Sequence, residues 1–81
     1  MTISITAATL ARFLAYAADA ADWSGTPLVG GNVGGEPADK GYIVNMKKLG
    51  LVSTWTCDRG DVWMAFEPAG VQLAAEHGIT I

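Results

Sequence analysis

The chain has 81 residues, of which 51% are hydrophobic and 16% are charged, so it is too short for more than one domain and too apolar for intrinsic disorder. Five basic and eight acidic residues give a net charge of −3, which argues against a protein that coats nucleic acid indiscriminately. A single cysteine excludes an internal disulfide, no run reaches the roughly 18 uncharged apolar residues of a membrane span, and no basic stretch begins a secretory signal. We therefore expect one cytoplasmic domain over residues 1–81 that does not associate with a membrane.

The first predicted element is a helix from Thr6 to Ala21, with the Thr6 hydroxyl placed to cap its first turn. Apolar residues recur along it at helical spacing, which predicts one buried stripe. This stripe consists of Leu10, Phe13, Leu14, Ala17 and Ala21. The other side carries Arg12, Ala15, Tyr16 and Asp19, and we expect it to remain at the surface.

The next segment, residues 24–36, holds five glycines and a proline. Each interior glycine costs a helix about 0.8–1 kcal/mol relative to alanine, so a regular helix is disfavoured here. We predict an irregular connector that Leu28, Val29 and Val33 hold to the core.

A second helix is predicted over residues 37–49, with Pro37 at its first position and Gly50 as a left-handed cap. Pro68 begins a final helix that Gly78 ends. Between these helices lies a predicted β-hairpin, with strands at 51–57 and 62–66 around a turn at 58–61. The predicted fold class is therefore α+β, in the order helix, glycine-rich connector, helix, hairpin, helix.

Three runs in the second half of the chain occur in a specific order. A Leu-Gly-Leu step leaves the second helix within 47–52, an apolar strand at 63–66 ends the hairpin, and a Gly-x-x-Leu-Ala pattern lies in the closing helix at 68–74. Together they resemble the winged helix-turn-helix domain of bacterial and phage regulators, of the MarR-like or PadR-like type. The resemblance implies a small winged-helix domain whose hairpin is the wing. Because the connector at 24–36 takes the place of the family's second helix, that helix is expected to be degenerate.

Positive charge is concentrated between Lys40 and Arg59, where four basic residues and one acid give a local charge of +3. The rest of the chain holds one basic and seven acidic residues, a charge of −6. In a winged helix, the exposed face of the helix before the wing contacts DNA, and Asn45 on this face is suited to a bidentate contact with adenine. The resemblance therefore implies a DNA-binding set of Lys40, Gly41, Val44, Asn45, Lys47, Lys48 and Arg59.

A second interpretation of these cations remains open. Lysines in the last turn of a helix interact favourably with its dipole, and an arginine in a hairpin turn is often simply solvated. Asp39, Asp58 and Asp61 lie beside them in sequence and would dilute a positive field. On this interpretation the cluster is a protein-contact surface or a solvated one.

No combination of residues predicts catalysis, a metal site or a cofactor. Gly30–Gly35 has the spacing of a phosphate loop, but Glu36 stands where lysine is required and would repel phosphate. Cys57 and His77 are the only residues of their types and cannot assemble a zinc site. The aspartates in the turn at 58–61 are typical of local hydrogen bonding. We expect a protein that is not an enzyme.

The sequence thus predicts a DNA-binding transcriptional regulator or accessory factor of phage or bacterial type, with double-stranded DNA as partner. The alternative is a modulator that binds a host protein through Trp55 and the acidic first helix of the same scaffold, without contacting DNA. The other interpretation of Trp55 is a role within the fold, stacking across the hairpin. Four candidate phosphate contacts would bind DNA weakly in a monomer, which favours a homodimer. We expect that dimer to form through the first helix, at Tyr16 and the neighbouring alanines.

Overall fold

The computed structural model describes residues 5–22, 25–31, 33–35 and 37–81. Its elements are α1 (Ala7–Asp22), α2 (Asp39–Lys48), β1 (Val52–Thr56), β2 (Val62–Phe66) and α3 (Pro68–Glu76). The α+β class and the order helix, helix, hairpin, helix are as predicted. Within the described ranges, no helix combines the length and the apolarity needed to cross a membrane.

Helix α1 begins one residue later than predicted, directly after its cap. The Thr9 amide donates to the Thr6 hydroxyl oxygen at 3.2 Å, so Thr6 caps the first turn as expected. The buried side of α1 differs from the predicted stripe, because it is rotated toward Tyr16 and includes Thr9, while Ala21 is exposed. The buried residues of α1 are Thr9, Phe13, Tyr16, Ala17 and Ala20, and Leu10 and Leu14 pack against the core from its edge.

The described part of the glycine-rich connector is irregular, as predicted, and it extends the hairpin. Leu28 forms an antiparallel bridge with Trp63, and the Val29 amide donates to the Val62 carbonyl at 2.8 Å. Residues 27–29 therefore run along the open edge of β2 like a short third strand. Val29 and Val33 also pack against the core, which confirms their predicted anchoring role.

The start of α2 corrects one prediction. Pro37 is not the first helical residue, because Pro37 and Ala38 form a turn and the helix begins at Asp39. The side chain of Asp39 points into the protein, where only 4% of the residue's surface is exposed. The helix therefore begins two residues later than predicted, and a carboxylate, not an apolar side chain, occupies its first buried position.

The ends of α2 and α3 confirm the predicted glycine caps. At Gly50, φ is +73°, a value that glycine adopts without the steric penalty of a side chain. The Leu51 amide donates to the Met46 carbonyl at 3.0 Å, and the Gly50 amide bonds one turn back, which is a Schellman motif. Helix α3 ends in the same way at Gly78, where φ is +81°.

The hairpin packs one of its faces on the helices. Val52 lies opposite Phe66 in an antiparallel register, and the buried Met64 shares their face. Phe13 of α1 meets Phe66 edge to face, with ring centroids 5.6 Å apart. The core thus joins α1, α2, the hairpin and α3 around Phe13, Tyr16, Ala17, Ile43, Met46, Leu51, Val52, Met64 and Ala74.

Candidate nucleic-acid interface

All seven residues predicted to contact DNA are exposed. Helix α2 buries Asp39, Ile43 and Met46, which recur at i, i+4 and i+7 and fix which side of the helix faces the core. The exposed residues of the helix form the α2 face, made of Lys40, Gly41, Val44, Asn45, Lys47 and Lys48, with Lys47 at its edge next to Ile43. Val44 is 46% exposed there, an apolar side chain among the lysines. Arg59 is exposed in the hairpin turn.

The α2 face is linked to the elements on either side of it. Lys47 donates from Nζ to the Thr54 hydroxyl of β1 at 3.2 Å, which ties the end of α2 to the hairpin. Asn45 donates from Nδ2 to the Thr9 hydroxyl of α1 at 3.5 Å, the outer limit for such a bond. The face therefore continues from α1, across α2, to β1.

The cations of this surface are not neutralised by acids within the described ranges. No carboxylate oxygen there lies within 4.0 Å of Lys40, Lys47, Lys48 or Arg59. Asp39, expected from the sequence to dilute the positive field, is buried on the opposite side of α2, and Arg12 is its ion-pair partner at 3.3 Å. Asp58 and Asp61 remain exposed beside Arg59 in sequence. Among the described residues, the three lysines thus have no carboxylate within ion-pair distance, while the turn is mixed in charge.

A hollow of about 300 Å³ opens between the start of α1 and the second half of α2. Its lining is Ile5, Thr6, Thr9, Asn45, Lys48 and Leu49. Two members of the α2 face, Asn45 and Lys48, therefore also belong to a concave site that extends onto α1. Sequence periodicity gave no indication of this hollow, because it depends on how the two helices pack.

Tyr16 corrects the predicted dimer surface, since its side chain is fully buried. Its hydroxyl donates to Asp39 Oδ2 at 2.7 Å and accepts a long bond, 3.4 Å, from the Gly30 amide. Burial, reinforced by the bond to Asp39, raises the pKa of the Tyr16 phenol above its ordinary value. The Arg12 guanidinium lies between Asp39 and the ring of Tyr42, 5.5 Å from the ring centroid. Tyr16 therefore connects three segments internally and is not available to a partner.

The sequence pattern did not predict this buried cluster of Tyr16, Asp39 and Arg12. A signal for it existed, because Thr9, Phe13, Tyr16 and Ala20 also recur at helical spacing. The predicted apolar stripe places Tyr16 on the exposed side of the first helix, and the position of Asp39 next to Lys40 in sequence places it among the surface charges. Tyr16 and Asp39 are 23 residues apart in sequence, and only the folded structure brings them together with Arg12.

Trp55 lies on the hairpin face that does not pack on the helices. It stands opposite Trp63 in the strand register and is 45% exposed. Cys57 follows it at the start of the turn, half-buried, and a hydrogen bond from the Arg59 backbone lowers the pKa of its thiol. His77 ends α3 as an exposed capping residue. In the part of the chain that the structure describes, no three His, Cys, Asp or Glu side chains gather at metal-binding distance.

Glu36, the residue that argued against a phosphate loop, lies outside the described residues. No family model, no curated protein and no solved structure matches this chain.

Proposed function

We propose that this protein is a non-catalytic DNA-binding regulator or accessory factor of phage or bacterial type, built on a winged helix-turn-helix plan. The observation that carries the proposal is the α2 face, where Lys40, Lys47 and Lys48 are exposed together without a carboxylate partner in the described ranges. Lysines near phosphates supply attraction that does not depend on sequence. The hairpin follows α2 directly, and its turn adds Arg59 as a fourth cation.

Charge complementarity favours DNA over an acidic protein for this surface. The lysines lie on one side of a helix, along which phosphates of one strand can be met in succession. Asn45 and the small Gly41 lie among them, so the helix can approach the duplex closely. No catalytic step is part of this proposal, because the surface offers cations and amides but no nucleophile or acid–base pair.

The test is a titration with a random-sequence duplex at several salt concentrations. Each phosphate contact contributes about −0.9 to the slope of log affinity against log salt, so four contacts give a slope no steeper than about −3.6 per monomer. Replacing both Lys47 and Lys48 by Ala should reduce the slope by about 1.8 and weaken binding at low salt.

A matched control changes the net charge equally at another surface. Gln72 and Ala75 are exposed on α3, and replacing both by Glu also lowers the net charge by two. This control should bind DNA far better than the double lysine variant. Equal binding by the two variants, or no duplex binding by the unmodified protein, would refute the proposal.

A second candidate function is favoured by Trp55. A tryptophan that is 45% exposed on the outer face of a hairpin is an effective anchor for a protein interface, because tryptophan is enriched among residues that dominate binding energy. On this alternative the protein modulates a host protein and does not contact DNA. Trp55→Ala should then abolish host-protein capture, while Lys47→Ala should leave it unchanged.

The proposed homodimer needs a different surface from the one predicted, since Tyr16 is buried. The exposed side of α1 presents Ala11, Ala15 and Ala18 at helical spacing. Sedimentation equilibrium with Ala15→Glu tests this surface. A mass that stays dimeric in the variant would exclude it.

A further inference from the structure

The hollow between α1 and α2 is lined by apolar and polar side chains, and the apolar part of the lining is the larger. Its polar lining consists of the side chains of Thr6, Thr9, Asn45 and Lys48, and no carboxylate of the described residues contributes to it. Ile5 and Leu49 supply the apolar part of the lining. A volume of about 300 Å³ corresponds to roughly ten water molecules at about 30 Å³ each, enough for a phosphate group with its hydration.

The hydrogen-bond donors in the hollow are partly unused. The Thr6 hydroxyl donates to Thr9 Oγ1 at 2.9 Å, and Asn45 uses one of its two amide hydrogens in the 3.5 Å bond to that same oxygen. Among the described residues, the second amide hydrogen of Asn45 and the ammonium group of Lys48 remain as donors, whereas Thr9 is almost fully buried. These two donors, one of them positively charged, suit an anionic acceptor.

We propose that this hollow binds one phosphate of the DNA backbone, with Lys48 supplying the charge and Asn45 the orienting amide. The proposal rests on the DNA-binding function and makes it more specific. It assigns Asn45 a positioning role in place of the adenine contact expected from the sequence, because its amide bonds to Thr9 of α1 at the rim of the hollow. Phosphate contacts fix register and orientation on the duplex without reading bases.

The first experiment compares two unrelated duplexes of equal length by fluorescence anisotropy. Asn45→Ala should weaken binding to both duplexes by the same factor, about 2- to 10-fold, since it removes one hydrogen bond of ordinary strength. Lys48→Ala should lower the salt slope by about 0.9. A change in the preference of Asn45→Ala for one duplex over the other would overturn the proposal in favour of base reading.

The second experiment tests the charge inside the hollow with a nearly isosteric change. Asn45→Asp places a carboxylate there, whereas Gln72→Glu makes the same charge change on the exposed surface of α3. Asn45→Asp should bind each duplex at least tenfold more weakly than Gln72→Glu does. Circular dichroism and thermal unfolding confirm that both variants are folded.

The third measurement detects occupancy of the hollow directly. Thr6, the cap of α1, and Thr9, within α1, lie outside the α2 face, and their amide NMR signals should shift when duplex DNA is added. DNA binding that depends on Lys47 but leaves these signals and the Asn45→Asp variant unaffected would overturn this inference and keep the proposed function. A protein that binds no duplex at all would overturn both.

Discussion

The contact between Tyr16 and Asp39 makes the sharpest prediction about stability. Tyr16→Phe removes only the hydroxyl, which donates to Asp39 Oδ2 at 2.7 Å within a fully buried environment. Asp39 Oδ1 has no hydrogen-bond partner in the described ranges and depends on the ion pair with Arg12. The substitution therefore leaves a buried carboxylate without its one short hydrogen bond.

The expected loss is about 2 kcal/mol of unfolding free energy, since hydrogen bonds to charged groups contribute about 1.5–3 kcal/mol. The 3.4 Å bond from Gly30 adds little because of its length. A domain of this size has a total stability of about 4–12 kcal/mol, so the loss is a large fraction of it. It corresponds to a decrease in Tm of about 8–16 °C.

Urea denaturation followed by tryptophan fluorescence measures this loss. The matched control is Tyr42→Phe, which also removes one hydroxyl but keeps the ring that Arg12 approaches at 5.5 Å. Tyr42 is only half-buried, and its variant should stay within about 0.5 kcal/mol of the unmodified protein. Equal effects of the two substitutions, or a neutral Tyr16→Phe, would refute the structural role of the buried hydroxyl.

Three further predictions concern other features of the fold. Because the pKa of Tyr16 is raised in the folded state, the unfolded chain loses this proton first as pH rises; stability should fall above about pH 10, and less so in Tyr16→Phe. Gly70→Ala should destabilise the protein by about 1–3 kcal/mol, because the added Cβ would overlap the Leu51 carbonyl oxygen. Gly41→Ala should instead stabilise it by about 0.5–1 kcal/mol, because the space around that position is open. Thermal unfolding measures both changes. Iodoacetamide should modify Cys57 with a pH midpoint below that of the chain unfolded in urea, because the Arg59 backbone bond stabilises the thiolate.

The parts of the fold that were predictable are those encoded by local chemistry. Gly50 and Gly78 each end a helix because a left-handed residue is needed at that point, and the turn at 58–61 has the composition that its conformation requires. The connector was recognised as irregular from its glycines. Its pairing with β2 through Leu28 was not predictable, because a single bridge leaves no periodic pattern.

The exposed face of the candidate site could be predicted from the sequence, but the hollow beside it could not. The exposure of the α2 face follows from the spacing of Ile43 and Met46, which the sequence contains. The hollow beside Asn45 depends on the packing of α1 against α2, and no local rule specifies a shape formed between two elements. Burial of Asp39 was likewise invisible, since it requires partners from two distant segments of the chain.

The burial of Asp39 also bears on how an acidic protein can bind DNA under the proposed function. Asp39 is buried and forms an ion pair with Arg12, so this acid places no negative charge beside Lys40 on the surface. The region 40–59 has a sequence charge of +3, whereas the rest of the chain sums to −6. Under the proposed function, this local excess of positive charge would attract a duplex even though the net charge is −3. Asp39→Asn should therefore leave the salt slope of DNA binding unchanged while it reduces the free energy of unfolding. A substitution that places an acid on the exposed α2 face should instead reduce the salt slope.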